Sequence, residues 1–92
     1  MPDVKQQEVK VEFTPETKKG VYANNMMVTH SREEFIMDFI MITPPWGTVT
    51  SRVIVSPGHM KRILNALHTN VEKYEQNFGA VQPAEEPKGT IQ

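Results

Sequence analysis

The residue in this chain whose setting most suggests chemistry is Asp38, a carboxylate inside the otherwise apolar run Glu34 to Thr43 (EFIMDFIMIT). A carboxylate among apolar side chains is costly to bury alone, so it needs a cationic partner or serves as a perturbed acid in a pocket. Arg52 on the next apolar run is the natural partner. If a hairpin centres near residue 45, positions 38 and 52 lie opposite one another, and such a pair helps fix strand register. We therefore predict a structural ion pair between Asp38 and Arg52, with an acid in a pocket as the alternative.

The other polar residues do not form a recognisable catalytic or metal-binding set. His59 and His68 are nine positions apart, which places them on opposite sides of a helix that turns by about 100° per residue. His30 is expected at the end of a strand, and no HExxH or phosphate-loop spacing occurs. The candidate carboxylates and nucleophiles all have explanations as turn, strand or cap residues: Glu33, Glu34, Ser31, Ser51 and Ser56. We expect no catalytic residues, no metal, no cofactor and no enzymatic activity.

Length and charge narrow the function classes further. The chain has 92 residues, no cysteine and a net charge of −1. It is therefore one small domain at most, without disulfides or thiolate metal sites. Lys and Arg are not in surplus, which argues against nucleic acid as a partner. No apolar run approaches the roughly 20 residues of a membrane span, and the N-terminal MPDVKQQEVK has no apolar leader segment, so we expect a cytoplasmic protein that does not bind membranes.

The elements that must position Asp38 and Arg52 are predicted to be strands. The run Glu34 to Thr43 is apolar on both faces, which is typical of a central strand covered on two sides. A β-favouring segment, 20–30, precedes it. Pro44-Pro45-Trp46-Gly47 ends it and turns the chain into Thr48 to Val55. These short connections predict an antiparallel meander.

A helix is predicted over residues 57–78. Ser56 is a good N-cap, Pro57 a good first helical residue, and Gly79 stands at the C-terminal end. One apolar stripe recurs at steps of three and four residues: Met60, Ile63, Leu64, Leu67, Val71, Tyr74 and Phe78. We predict an α+β fold, an antiparallel sheet of three or four strands with this amphipathic C-terminal helix packed on one face (β-β-β-α).

The flanks of the chain differ in composition from its middle. Residues 1–19 are predicted to form an N-terminal arm, in which Val9, Val11 and Phe13 alternate with charged residues in the pattern of an edge strand. Residues 20–79 are expected to form the single domain. Residues 80–92 are rich in proline and glycine and are predicted to be disordered.

A single helix covers only one face of such a sheet, so the second face needs another cover. That face carries Ile36, Ile40 and Ile42, or else the Phe and Met side chains of the same strand. Each fully buried side chain of this kind contributes about 1.5–3 kcal/mol. We therefore predict a homo-oligomer, most simply a two-fold dimer, with the three isoleucines as candidate interface residues.

The hairpin tip Pro44-Pro45-Trp46 is a candidate contact loop for another protein, since an aromatic on a stiff loop loses little entropy on docking. The alternative is that Trp46 folds back and completes the core. The six methionines also suit a soft surface that accepts varied apolar partners. The favoured function is a non-enzymatic interaction or assembly module. A chaperone-like oligomer that binds apolar segments is the first alternative, and a small ligand-binding protein or enzyme using Asp38 is the second.

Three features together also resemble a known family over about Val21 to Gly79. They are an aspartate inside an apolar strand (Phe35, Asp38, Phe39), a strand that ends in Ser56-Pro57-x-His59, and a helix that ends in Glu72-Lys73-Tyr74-Glu75…Phe78-Gly79. The chain resembles the domain of unknown function 3467 family of small prokaryotic proteins. This resemblance implies a compact sheet-plus-helix domain and no assigned activity. The stretch Trp46-Gly47-Thr48 departs from the family pattern, so no role of that loop is implied.

Overall fold

The structure, a computed structural model, describes residues 6–87. Its elements are α1 (Pro15–Lys19), β1 (Asn25–His30), β2 (Phe35–Thr43), β3 (Trp46–Val55) and α2 (Pro57–Phe78). The strands form an antiparallel sheet in the order β1-β2-β3, with β2 in the centre. The predicted α+β class and the β-β-β-α order are confirmed, with three strands in the part of the chain that the structure describes.

The hairpin between β2 and β3 sets the register of the sheet. It pairs Thr43 with Trp46 beside the turn and Phe35 with Val55 at the far end. Only Pro44 and Pro45 separate the two strands, because proline cannot continue the ladder of hydrogen bonds. The prolines end β2 as predicted, but the turn is shorter than the predicted Pro44-Pro45-Trp46-Gly47, and β3 begins two residues before the predicted Thr48.

The sheet has two faces, which we name by the residues of β2. The Phe/Met face carries the apolar side chains Phe35, Met37, Phe39 and Met41 of β2, with Met26, Val28, Val53 and Val55 from the outer strands. The Ile face carries Ile36, Ile40 and Ile42, with Met27, Val49 and Ile54 beside them and the Asp38 and Arg52 side chains among them. Both faces are therefore largely apolar, as predicted for a strand that is covered on two sides.

A bulge in β3 changes which residues share a face. The register shifts between Phe39 and Ile40, where Thr50 is the extra residue on β3. The Thr50 hydroxyl donates a hydrogen bond to the Phe39 carbonyl oxygen at 3.1 Å. Strict alternation would place Val49 with Val53 on the Phe/Met face, but the bulge moves it to the Ile face, opposite Ile40.

The chain enters the sheet through an asparagine clamp. The Asn24 side-chain amide donates to the Ile42 carbonyl oxygen at 2.9 Å and accepts from the Ile42 N–H at 2.8 Å. Its own backbone N–H donates to the Ile40 carbonyl oxygen at 3.0 Å. Asn24 thus extends the pairing of β1 by one position, and β1 begins only after it rather than at the start of the predicted segment.

Helix α2 has the bounds that its cap residues predict. The Ser56 hydroxyl accepts the His59 N–H at 3.2 Å, and Pro57 occupies the first turn, where its missing N–H costs nothing. Gly79 has a φ of 89°, a conformation that favours glycine, and its N–H donates to the Glu75 carbonyl oxygen at 2.8 Å. Both ends of the helix are therefore fixed locally.

The prediction that α2 packs on the sheet is wrong. None of its residues is buried, and close packing between elements is confined to neighbouring strands. Ser56 is the single residue between β3 and α2. Few backbone dihedrals are therefore available to turn the helix back over the sheet, and the molecule is elongated, 59 × 33 × 33 Å.

The predicted edge strand in the N-terminal arm is also not formed, since residues 6–14 contain neither strand nor helix. Val9, Val11 and Phe13 are 70–87% exposed. A strand needs a neighbour to hydrogen-bond with, and the chain instead enters α1 through Thr14, whose hydroxyl accepts the Thr17 N–H at 3.2 Å. Residues 1–5 of the predicted arm and 88–92 of the predicted disordered tail lie outside the described residues.

Candidate interaction surface

Asp38 and Arg52 lie opposite each other on β2 and β3 and form a two-pronged ion pair. The guanidinium Nε donates to the carboxylate Oδ1 at 2.7 Å, and Nη2 donates to Oδ2 at 2.9 Å. The arrangement matches the planar fork of arginine to the two oxygens of a carboxylate. The Asp38 side chain is 17% exposed and that of Arg52 is 60% exposed, so the pair lies at the surface of the Ile face.

The ion pair determines the protonation state of Asp38. Hydrogen bonding to Arg52, together with its positive charge, lowers the pKa of the Asp38 carboxyl below its ordinary value, against an opposing effect of burial. The same partners raise the pKa of Arg52. Asp38 is therefore held as a carboxylate that accepts hydrogen bonds, which suits register setting and is the opposite of what a general acid requires.

The three candidate interface isoleucines are not equivalent. Ile40 is only 6% exposed and belongs to the core of the chain itself, whereas Ile36 and Ile42 are half-buried. Ile40 and Ile42 approach the backbone of Gly47, within 4 Å of where a β-carbon would stand. The exposed part of the Ile face is contributed by its margins, where Met27 is 44% and Ile54 is 52% exposed.

The contact-loop candidate lies at the tip of the hairpin. Trp46 is 76% exposed, and Pro44 and Pro45 are exposed as well. Trp46 therefore does not complete the core of the described chain, which was the alternative to a contact role. The loop lies at the far end of β3 from α2.

The Phe/Met face is the most continuous apolar surface of the sheet, because β2 contributes no polar side chain to it. Its centre, Met37, is 7% exposed, and its margins are open: Met26 is 44%, Val28 46% and Val53 40% exposed. Where Gly20 and Val21 approach Ser51, a shallow cleft of about 320 Å³ opens at the surface. Glu16 and Thr17 complete its lining.

A second apolar surface, on α2, was assigned to the core by the sequence and is instead exposed. Leu64, Leu67, Val71, Tyr74 and Phe78 are between 51% and 75% exposed. The rings of Tyr74 and Phe78 contact only each other among aromatic neighbours in the described residues, with centroids 4.9 Å apart. The signal that could have identified this surface is the single residue, Ser56, that joins β3 to α2.

The histidines lie apart from one another. The His30 ring packs on Phe35 with centroids 5.4 Å apart, His59 lies in the first turn of α2, and His68 contacts Glu72 one turn later on the helix. Within residues 6–87, no three His, Asp or Glu side chains lie close enough to hold a metal ion. No helix in that range is long and apolar enough to cross a membrane.

Comparison with known proteins identifies the family. The family described as protein of unknown function (DUF3467) matches residues 1–83, which is nearly the whole chain, so the chain belongs to this family. No curated protein and no solved structure matches it.

Proposed function

We propose that this member of the DUF3467 family is a non-enzymatic, homo-oligomeric interaction or assembly module whose basic unit is a dimer. The observation that carries the proposal is the size of the core. Among residues 6–87, the hydrophobic side chains that the chain buries by itself are Met37 and Ile40, at 7% and 6% exposure. Two buried side chains are far fewer than a stable domain of this length requires.

Energetic magnitudes support a second copy as the missing cover. A small domain is stable by about 5–15 kcal/mol in total, and full burial of one large apolar side chain contributes about 1.5–3 kcal/mol. Six apolar side chains of the sheet are 40–52% exposed, in addition to Trp46: Met26, Met27, Val28, Val49, Val53 and Ile54. Together with the stripe on α2, they represent stabilisation comparable to the whole stability of such a domain, which a dimer would recover.

The chemistry of the polar residues supports a function other than catalysis. Asp38 is ionised and fully engaged by Arg52, which leaves it unsuited to proton transfer. The second alternative, an enzyme or ligand-binding protein that uses Asp38, requires this carboxylate to be free. The proposal also places the protein in the cytoplasm, because small secreted domains with small cores commonly rely on disulfides and this chain has no cysteine.

Binding of another protein is a further part of the proposal, with the exposed Trp46 loop as its contact site. A large aromatic side chain that is 76% exposed at a hairpin tip is well placed to enter a pocket of a partner. The chaperone-like alternative would instead use the exposed methionines Met26 and Met27, each 44% exposed, as an adaptable surface for apolar segments.

The test is the mass of the full chain in solution, measured by size-exclusion chromatography with light scattering. The proposal predicts a mass of at least twice the 10.5 kDa of one chain. A stable, folded protein with the mass of one chain at every concentration would overturn it.

Two additions to this experiment locate the interface. Ile54→Glu places a charge on the Ile face at a side chain that is 52% exposed, and Val11→Glu, in the arm at 87% exposure, is the matched control. A lower mass for Ile54→Glu alone would place the Ile face in the interface.

Strong binding of an apolar dye by the native oligomer would favour the chaperone-like alternative, since a closed interface leaves no exposed apolar surface for the dye.

A further inference from the structure

Six apolar residues recur at alternating steps of four and three along α2: Met60, Leu64, Leu67, Val71, Tyr74 and Phe78. Met60 is half-buried and the other five are exposed. We call this set the α2 seam. A repeat that averages 3.5 residues keeps the seam straight only when two helices wind around each other, as in a left-handed coiled coil.

We propose that α2 pairs with α2 of a second copy of this chain in an antiparallel coiled coil. The pairing rests on the proposed homo-oligomer and specifies its interface. A second α2 is the proposed cover of the seam, because α2 does not pack closely on the sheet of its own chain.

The helix has the length and the local definition that such a pair needs. Its 22 residues span about 33 Å, and the seam runs from Met60 in its first turn to Phe78, its last residue. Most helical stability in proteins comes from packing of the apolar face rather than from intrinsic propensity. A helix that is capped at both ends and buries nothing within its own chain therefore needs a cover of its own length, which a second α2 supplies.

The charges beside the seam favour the antiparallel orientation. Lys61, His68 and Glu75 each follow a seam residue by one position and so form one flank. When two helices run in opposite directions, like flanks meet, so Lys61 approaches the partner's Glu75 at both ends of the pair. The two-fold axis of this arrangement crosses the helices at the level of residue 69, on the side of the seam. Glu75 is half-buried, and its Oε2 accepts the Val81 N–H at 2.9 Å, which leaves Oε1 for the lysine.

A parallel pair would lack this complementarity. In that orientation, one flank meets the opposite flank of the partner, which carries Ile63, Asn70 and Asn77. Asn70 would then face the partner's Glu75, and Ile63 would face the partner's His68, with no opposite charges in contact. Only the antiparallel orientation pairs a cation with an anion.

The seam residues also form matched layers in the antiparallel register that uses all six. Met60 meets the partner's Phe78, Leu64 meets the partner's Tyr74, and Leu67 meets the partner's Val71. Each layer joins an aliphatic side chain to an aromatic or a second aliphatic one, and no polar residue enters the seam. Shifting the register by one heptad would leave two seam residues of each helix without a partner.

The orientation can be measured directly, because the chain has no natural cysteine and single cysteines can carry spin labels. The full-length variants His68→Cys and Arg62→Cys are labelled, and the distance between the two labels of each oligomer is measured by electron spin resonance. With the axis at the level of residue 69 and a rise of 1.5 Å per residue, the two positions 68 are offset by about 3 Å along the helix and the two positions 62 by about 21 Å. The antiparallel pair therefore predicts strong line broadening for His68→Cys and a long, well-defined distance for Arg62→Cys.

Equal distances for the two labels would show a parallel pair and overturn the proposal. Separations at both positions much larger than these, in an oligomer of unchanged mass, would also overturn it while leaving the proposed function intact. A wild-type chain that is monomeric would overturn both.

A pair of charge variants tests the seam independently of labels. Leu67→Glu introduces a carboxylate at the centre of the seam, and Thr69→Glu introduces the same group on the opposite side of the helix as its control. Leu67→Glu is expected to raise the dissociation constant by about a hundredfold or more, because the change occurs twice in each dimer, whereas Thr69→Glu leaves it within about threefold. Equal dissociation constants for the two variants would show that the seam is not the interface.

Discussion

The sheet and helix α2 are joined by one residue, Ser56, and differ in the origin of the contacts that hold them. The sheet is held by its own chain: the β2–β3 hairpin is closed by a two-proline turn, the Asn24 clamp ties its β1 edge, and a two-pronged ion pair crosses its centre. Helix α2 has caps and a regular apolar seam but buries none of its residues. The strand pairing is therefore specified within one chain, whereas most of the apolar side chains of α2 are exposed among the described residues.

The largest effect is expected where the sheet buries its own side chains. Met37→Asp places an unpaired carboxylate at a position that is 7% exposed, which is expected to cost several kcal/mol and to unfold the sheet. Circular dichroism during heating should then show no cooperative transition. Val11→Asp, in the exposed arm, is the control and should melt like the wild type. A cooperative transition in Met37→Asp near the wild-type temperature would show that the sheet is not the self-contained part of the molecule.

A smaller effect is expected at the N-terminal end of α2. Ser56→Ala removes the hydroxyl that accepts the His59 N–H, and loss of such a cap costs about 1 kcal/mol. Because Ser56→Thr keeps an acceptor, it should retain most of this stability. Amide exchange by nuclear magnetic resonance should show faster exchange at the start of α2 in Ser56→Ala, with β2 unchanged. Equal acceleration in β2 would mean that the two regions unfold as one unit.

The ion pair should contribute modestly, with a defined dependence on pH. The pKa of Asp38 is lower in the folded chain than in the unfolded chain, so its contribution is complete above the unfolded value and is lost as pH falls through the folded value. The urea midpoint of the wild type should therefore decline more between about pH 5 and pH 2 than that of Asp38→Asn. If the urea midpoints of the two proteins declined equally with pH, the ion pair would not contribute to holding the register.

The smallest effect on folding is expected at the hairpin tip. Trp46 is 76% exposed, so Trp46→Ala should change the free energy of unfolding by no more than about 0.5 kcal/mol. Chemical denaturation followed by circular dichroism is a suitable measurement, since it does not depend on the fluorescence of the removed residue. A large loss of stability would show that the Trp46 side chain is covered in the assembled protein.

Features specified by local chemistry could be predicted from the sequence. The end of β2 follows from Pro44 and Pro45, and the bounds of α2 follow from Ser56, Pro57 and Gly79. Each of these depends on residues close in the chain. The predicted pairing of Asp38 with Arg52 is observed, but the turn alone would set Asp38 opposite Ser51, and the extra residue Thr50 shifts the partner to Arg52. The prolines that end β2 and the serine that begins α2 act through their own backbone geometry.

Features that depend on direction or on a neighbour could not be predicted in this way. The amphipathic stripe on α2 predicts that the helix has an apolar cover, but not which surface supplies it, and in the structure the sheet of the same chain does not. The bulge at Thr50 moves Val49 to the other face through one unpaired residue in an unbroken β-favouring run. The segment from Val9 to Phe13 has the pattern of a strand and no strand beside it.

Amide hydrogen exchange over a series of protein concentrations tests whether the strands are paired within one chain while α2 gains its cover from a second copy. If the helices pair as proposed, protection in α2, measured at Leu64, Leu67 and Val71, rises with concentration. Protection at Met37 and Ile40 in β2 should remain when the oligomer is diluted. High protection in α2 that is independent of concentration in a monomeric chain would show that the helix does not need a second copy as its cover.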